Sequence, residues 1–522
     1  MNTATIQILY TSDVHGHAMP VTYGTKVDGG LASYATAVKN ARAKNPDILV
    51  VDNGDLIQGT PLMTHYVKEH ASKENPMVGI MNRIGIDAGV PGNHEFNFGK
   101  NIFQAAVDQS DFPWLSANIM DKRSGQPYFG QPYKIFVMDH GVRVAIIGVT
   151  THYIPNWEDP EHISTLDFAD ALSTLDTWVK HLRQQENPDI IIGMYHGGLE
   201  RDPDTGEPTE NPTGENQGFE MCEKINGLDI LLTGHQHRQL VSTINGVLVV
   251  QPGHNAQAYG NVTIHLEKME DQWRLAKKHA SIEKLSGTEA DCGILNYLEE
   301  IESSTQNWLD EPVGYIEGDM TIDDPLQTRI EKHPFIEFIQ KVQMEASGVD
   351  ISVTALLNNE AGGFKGQVTM RDIVSNYIYP NTLVVLELTG RDIHAALEKS
   401  ADYFTLDEDR NIAVNPSYIE PKPQHYNYDM WEGIEYTIDV AKPTGERIET
   451  ITYHGEPLRE EQTYQVVLNN YRASGGGNYD MFKGKPVLKE IQKDAVELIR
   501  NYFEKHPSVP ATVRKNFYVK KS

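Results

Sequence analysis

Five short polar clusters hold the residues best suited to chemistry: Asp13-Val14-His15, Gly54-Asp55, Gly92-Asn93-His94-Glu95, His196-Gly197-Gly198 and Gly234-His235-Gln236-His237. Together they offer carboxylate and amide oxygens and several imidazoles, and no thiolate. That is more than one cation needs and enough for two, with Asp55 placed to bridge. An oxygen-and-nitrogen set suits Mn²⁺ or Zn²⁺, is compatible with Fe²⁺ or Co²⁺, and argues against thiolate zinc and iron–sulfur sites. Two such ions about 3.5–4 Å apart can share one carboxylate and one water, acidify the water and neutralise phosphoryl oxygens. Neutral His and Asn ligands keep such a site cationic enough to accept a phosphate. Alone, an Asp-x-His or a His-Gly-Gly is ordinarily a strand-end turn with a polar tip. Five clusters in series reverse that reading. The chemistry they predict is hydrolysis of a phosphoester.

Something must bring these clusters together, and the runs beside them indicate what. Apolar, β-branched stretches at Ile6–Tyr10, Ile48–Asp52, Asp189–Gly193 and Asp229–Thr233 read as buried strands. The polar clusters then lie at strand C-terminal ends, where open α/β sheets build their sites. Val142–Val149 reads as another buried strand and Gly30–Lys39 as the helix after the first cluster. Strand and helix signals alternate to about residue 286. The segment 287–310 then turns acidic and amphipathic, with Ile294–Glu302 at helical spacing, and Glu311-Pro312 ends it. Residues 311–522 mix strands and helices, including Asn381–Leu388 followed by a helix over Asp392–Ser400. Three parts are expected: a catalytic domain 1–286, a linker helix 287–310 and a second domain 311–522. The loop Arg201–Gly218, rich in Pro, Gly, Asn and Glu, reads as exposed and mobile.

The order Asp-x-His, Gly-Asp, Gly-Asn-His-Glu, His, Gly-His-x-His resembles the calcineurin-like metallophosphoesterases, and more narrowly the two-domain 5′-nucleotidase superfamily. The branch it is most similar to is the bacterial 2′,3′-cyclic-nucleotide 2′-phosphodiesterase/3′-nucleotidases. Asp52–Pro61, Gly92–Gly99, Tyr426–Gly433, Tyr377–Leu383 and Asn469–Ala473 carry that finer match. The resemblance implies a four-layer α/β/β/α N-terminal domain and an α+β substrate-binding C-terminal domain. It implies a first metal on Asp13, His15, Asp55 and His237, and a second on Asp55, Asn93, His196 and His235. It makes His94 a catalytic residue facing the phosphate, oriented from the third position after it. There 5′-nucleotidase relatives carry Asp and this chain carries Asn97. An amide can orient an imidazole but does not stabilise imidazolium as a carboxylate does.

By the same resemblance, Tyr379 and Tyr471 sandwich the base, with Asn381 in the first of the two loops; Gly475 and Gly476, in the run Ser474–Gly477, are expected to let the backbone approach the substrate. Either tyrosine alone would read as an ordinary core ring; their place in matched loops favours stacking on a nucleobase. Relatives that cleave 5′-phosphates often carry Arg in the loop matching Asn358–Phe364, and this loop has none. Both departures favour a phosphate on the 2′ or 3′ side of the ribose. The expected activity is conversion of 2′,3′-cyclic nucleotides to 3′-nucleotides and then nucleosides. A 5′-nucleotidase or nucleotide-sugar hydrolase is the alternative, and a metal-bound nucleotide sensor the non-enzymatic one.

Composition is consistent with a small nucleotide substrate. With 45 Lys+Arg against 73 Asp+Glu, the net charge of −28 disfavours long DNA or RNA, which needs a basic track. The acidic run Glu299–Glu302 reads as a solvated face. No apolar run reaches the ~18 residues of a membrane span. Cys222 and Cys292 lie outside any metal or redox spacing and read as reduced, at least half-buried thiols. The first strand begins at Ile6 without a secretory leader before it, so the expectation is cytoplasmic. Oligomeric state has no signal in the sequence.

Overall fold

Alternation within single strands explains the architecture of the N-terminal part. In the strand Arg143–Thr150, Val144 and Ile146 face one apolar core, while Ala145, Ile147 and Val149 face another. A strand buried on both faces reads as an unbroken hydrophobic run. The computed structural model describes residues 3–21, 23, 29–156, 158, 160–209, 212–377, 381–419, 423–491 and 493–522.

The chain forms two units, the first ending at Thr305 and the second running Gln306–Ser522. Two sheets stack in the first. One has the order Gln272–Lys284, Ala258–Met269, Thr3–Thr11, Ile48–Asp52, Ala88–Gly89; the other Gln239–Ile244, Val247–Pro252, Ile230–Thr233, Ile190–His196, Arg143–Thr150, Tyr133–Val137. Ile6, Ile8, Tyr10 and Val51 of one sheet meet Val144, Ile192, Met194 and Leu232 of the other in a shared core. Helices Ala171–His181 and Gly218–Lys224 cover the outer face of the second sheet through Leu175, Val179, Met221 and Cys222. Helices Leu31–Lys44 and Pro76–Ile84 pack on the first sheet's side. The result is a four-layer α/β/β/α fold.

Register brings the polar clusters level. Thr11 pairs with Asp52 and Asp52 with Gly89 in parallel ladders. In the other sheet Thr150 pairs with His196 and Tyr195 with Thr233. The loops leaving these strands therefore emerge side by side at their C-terminal ends.

Helix Cys292–Leu309 buries Ile294 and Leu298. It is tied to the first unit by Tyr297 Oη donating to Glu74 at 3.0 Å and a contact between His65 and Ser304 at 2.9 Å. Glu299 and Glu300 are solvated as the acidic spacing predicts, but Glu302 on the same helix is buried. Cys222 is buried, and Cys292, at the helix start, is exposed rather than half-buried. Among the described residues no helix is long and apolar enough to cross a membrane.

The second unit is α+β. Its central sheet has the order Met430–Glu432, Ile351–Thr354, Thr463–Asn469, Leu383–Thr389, Val487–Ile491, and helix Pro334–Ser347 packs across it. Thr389 and Asp392 form a reciprocal capping box that starts the helix Gly390–Ala401.

Candidate metal centre

Five of the residues singled out as ligands adopt left-handed backbone conformations: Asp13 (φ 54°), His15 (49°), Asp55 (56°), His235 (68°) and His237 (59°). For residues other than glycine each costs about 1–3 kcal/mol, and such strain concentrates at functional sites. Here it turns each side chain sharply off its strand end toward a common point. The neighbouring glycines make room. A Cβ on Gly92 would lie 2.2 Å from Asp55 Oδ1, and one on Gly234 2.7 Å from Asp13 Oδ2.

The side chains gather in two groups, Asp13–His15–His237 and Asp55–His196–His235, each with its donor atoms within 4.8 Å of one another. Asp55 Oδ2 faces both: it lies 3.2 Å from His196 Nε2 and 3.9 Å from His15 Nε2. Its other oxygen accepts the backbone N–H of His94 at 2.8 Å. Asn93 Oδ1 stands 3.2 Å from His196 Nε2 and 2.9 Å from His235 Nδ1. His15 Nε2 and His237 Nε2 face each other at 3.0 Å. Convergent imidazole nitrogens with carboxylate oxygens between them fit divalent cations, and all seven residues can supply a ligand atom.

Outer partners decide which imidazole nitrogen is presented. His196 Nδ1 lies 2.6 Å from the Asn53 carbonyl, which can only accept, so Nδ1 carries the proton and Nε2 faces Asp55. His235 Nε2 lies 2.9 Å from Glu215 Oε1, leaving Nδ1 to face Asn93. Glu215 belongs to the loop expected to be exposed and mobile. The end of that loop is instead anchored: Asn216 and Gln217 are buried, and the Glu215 carbonyl accepts from Thr151 and Tyr195 hydroxyls. Glu95 is also buried, and its carboxylate accepts from the N–H groups of Asp55, Leu56, Ile57 and Gly92. That explains the fourth letter of Gly-Asn-His-Glu as a clamp on the loops that carry Asp55 and Asn93.

Electrostatics among these side chains follow from burial and pairing. Burial raises the Asp13 carboxyl, against the pull of His196. Burial would also raise Asp55, but His196 and His94 hold it well below the usual range. Burial opposes charge on His196, yet Asp55 beside it lifts its pKa well above the ordinary imidazole value. Burial and the stacked ring of His254, 4.7 Å away, push His237 down to about 3.

His94 lies beside the first group, its ring 5.2 Å from that of His15. Its Nδ1 is 2.5 Å from Asn97 Oδ1, and Asn97 Nδ2 donates to Glu158 Oε2 at 2.8 Å. The sequence offered no sign of Glu158, which lies 61 positions from its partner.

In the second unit Tyr471 is 42% exposed, enough to offer a ring face. It follows the strand Thr463–Asn469, whose Asn469 pairs with Leu383, so the chain leading from Asn381 starts alongside it. Gly476 packs under the Tyr471 ring, where a Cβ would come within 2.5 Å, and Gly475 adopts φ 90°. Buried Arg472 braces the loop by donating to Asn427, Tyr426 and Asp429. Tyr426 approaches Tyr471 edge-on at 6.2 Å. Tyr379 lies outside the described residues. The loop at Asn358 has no Arg of its own, but Arg329 donates to Asn359 Oδ1 and to the Leu356 carbonyl.

Residues 6–239 match the calcineurin-like phosphoesterase family and residues 312–484 the 5′-nucleotidase C-terminal domain. A solved putative 5′-nucleotidase from Staphylococcus aureus, in complex with alpha-ketoglutarate, is 33% identical with a TM-score of 0.81, covering 99% of this chain and all of that one. A 2′,3′-cyclic-nucleotide 2′-phosphodiesterase/3′-nucleotidase from Yersinia enterocolitica is 27% identical over 91% of this chain and 81% of its own. The trifunctional nucleotide phosphoesterase YfkN of Bacillus subtilis is 27% identical over 98% of this chain, which spans 39% of that protein's length.

Proposed function

The chain belongs to the calcineurin-like phosphoesterases that carry a 5′-nucleotidase C-terminal domain, and on that footing we propose that it opens 2′,3′-cyclic nucleotides to 3′-nucleotides and then releases nucleosides. Hydrolysis of nucleotide phosphoesters is common to the relatives' names. The cyclic and 3′ substrates are the finer reading. The observation that carries it is Asn97 at the orienting position behind His94, with the Arg-less loop Asn358–Phe364 as support.

In this reading Asp13, His15, Asp55 and His237 hold one divalent ion and Asp55, Asn93, His196 and His235 the other. When bound, two such ions supply Lewis acidity toward the phosphoryl oxygens and acidify a water for in-line attack. The chain's own residues do the rest. Asp55 sets the spacing of the two groups, Asn53 and Glu215 fix the rings of His196 and His235, and His94 offers Nε2 to the departing ribose oxygen. Tyr471 with Tyr379 binds the base, and Asn381, Gly475 and Gly476 border it.

Activity as a 5′-nucleotidase is the second reading, favoured by the name of the relative at 33% identity. Release of phosphate and nucleoside from 2′,3′-cAMP, 3′-AMP and 5′-AMP with added Mn²⁺ separates the two. The first reading requires 3′-AMP as the initial product from the cyclic substrate and little turnover of 5′-AMP. Preferred cleavage of 5′-AMP overturns it.

A further inference from the structure

The amide of Asn97 has two ends of nearly equal size and opposite hydrogen-bonding character. One end lies 2.5 Å from His94 Nδ1 and the other 2.8 Å from Glu158 Oε2. An ionised carboxylate can only accept, so the end facing Glu158 must be the NH₂ group. The carbonyl end must then face the ring, which makes Nδ1 the protonated nitrogen. Nε2 is left as the ring atom that exchanges a proton with a ligand.

Glu158 is held where this logic requires it. Its residue is 7% exposed, its second oxygen meets His162 Nδ1 at 2.8 Å, and its own N–H donates to the Ile154 carbonyl at 3.0 Å. A buried carboxylate engaged at both oxygens does not swing away. Without it, the Asn97 amide could rotate by half a turn at little steric cost. The NH₂ would then face Nδ1, where it cannot accept, and the ring that gives a proton from Nε2, carrying one on each nitrogen, would lose the acceptor for its Nδ1 proton.

We propose that Glu158 is a positioning residue for hydrolysis: it fixes the Asn97 amide, and through it the tautomer and direction of the His94 ring. This rests on the phosphoesterase reading above, in which His94 serves the leaving oxygen. The carboxylate that 5′-nucleotidase relatives place directly on the histidine is here moved one residue outward, with the amide between. A consequence concerns Asn97→Asp, which would otherwise look like a simple route to a His–Asp pair. It would set two carboxylates in contact across the 2.8 Å now spanned by a hydrogen bond, and like charges so close do not both ionise.

The test uses full-length, Mn²⁺-loaded protein and two substrates, 3′-AMP and p-nitrophenyl phosphate. A ribose oxygen needs a proton as its bond to phosphorus breaks; p-nitrophenolate does not. Glu158→Ala should lower the ratio of 3′-AMP to p-nitrophenyl turnover by about tenfold or more, with metal content unchanged. Glu158→Gln keeps an acceptor oxygen and should retain more of the ratio. Asn97→Asp alone should also lower it. Combining Asn97→Asp with Glu158→Gln should recover most of that loss, since the introduced amide can donate to the introduced carboxylate. Equal falls on both substrates, or no recovery in the double variant, overturn the proposal. Should Glu158→Ala not fold, His162→Gln, which only loosens Glu158, must shift the ratio in the same direction; an unchanged ratio overturns it. Failure of the unaltered protein to turn over either 3′-AMP or a nitrophenyl ester would instead sink the reading of the site on which this rests.

Discussion

Asp55 and His94 are joined by a hydrogen bond from the His94 N–H, yet they should fail in different ways. Asp55 Oδ2 faces both nitrogen groups, so Asp55→Asn should lose bound metal and activity together, by several orders of magnitude in rate. His94 presents its ring beside the groups, so His94→Ala should keep both ions while turnover falls about 10²–10⁴-fold. Elemental analysis beside kinetics decides; loss of both ions from His94→Ala would make it a ligand rather than a partner of the leaving oxygen. A pH dependence follows from His196, whose pKa beside Asp55 is raised in the metal-free chain. The stability this pair gives the metal-free protein is full below the ordinary imidazole value near 6.5 and is lost as pH climbs through the raised one. Metal must displace that proton, so its affinity should run the other way, rising about tenfold per pH unit for each proton released. Calorimetric titration in buffers of different ionisation enthalpy would register the proton, and pH-independent affinity would contradict the assignment. The candidate ligand residues that converge in the structure were legible because the polar types recur after apolar runs. Glu158 and Glu215 were not, because a single Glu in a loop looks like any solvated acid until folding carries it to a histidine or an amide.

At the scale of elements, strands that are buried on both faces announced themselves. Ile48–Asp52 has the same limits in sequence and structure, and Ile6–Tyr10 grows only to Thr3–Thr11. Ala88–Gly89, two residues long, left no periodicity to read, although it carries the Asn93 loop. The fourth residue of Gly-Asn-His-Glu shows how those loops are held. Glu95 accepts four backbone N–H groups from residues 55–57 and 92, none of which has a partner within a strand ladder. Glu95→Ala should therefore destabilise the first unit by about 3–5 kcal/mol, because buried donors lose a charged acceptor. Glu95→Gln, with one accepting oxygen in place of two, should fall between. Chemical denaturation followed by tryptophan fluorescence would measure both, and a change under about 1 kcal/mol for the alanine variant would mean water substitutes for the carboxylate. The loop Arg201–Gly218 is exposed or partly exposed over residues 201–209 as its composition suggests, and only its end misled. Its composition is that of a solvated loop, but its last residues are fixed by side-chain contacts that composition does not encode.

On the scale of the whole molecule, the two tasks of the proposed reaction fall in different units. All seven candidate ligands lie between residues 13 and 237, within the first unit, and Tyr471 belongs to the second. The net charge of −28 leaves no net basic excess to gather a polyanion, and the proposed reaction assigns recognition of a small nucleotide to metal, ring and loop rather than to long-range attraction. The ring contribution can be separated from the chemistry. Stacking on one aromatic side chain is worth about 1–3 kcal/mol for any base, because every base offers a π-face. Tyr471→Ala should accordingly raise KM for adenosine, guanosine and pyrimidine substrates alike, by roughly 5- to 150-fold, while leaving bound metal and the hydrolysis of bis-p-nitrophenyl phosphate nearly as they were. Gly476→Ala should act in the same direction through the ring, since the new methyl group would displace Tyr471 from its seat. Steady-state kinetics on a base series, with the nitrophenyl ester as the reference, gives the comparison. Wild-type KM values in Tyr471→Ala would take the base away from this ring, and a parallel loss on the nitrophenyl ester would show instead that the substitution had reached the metal centre.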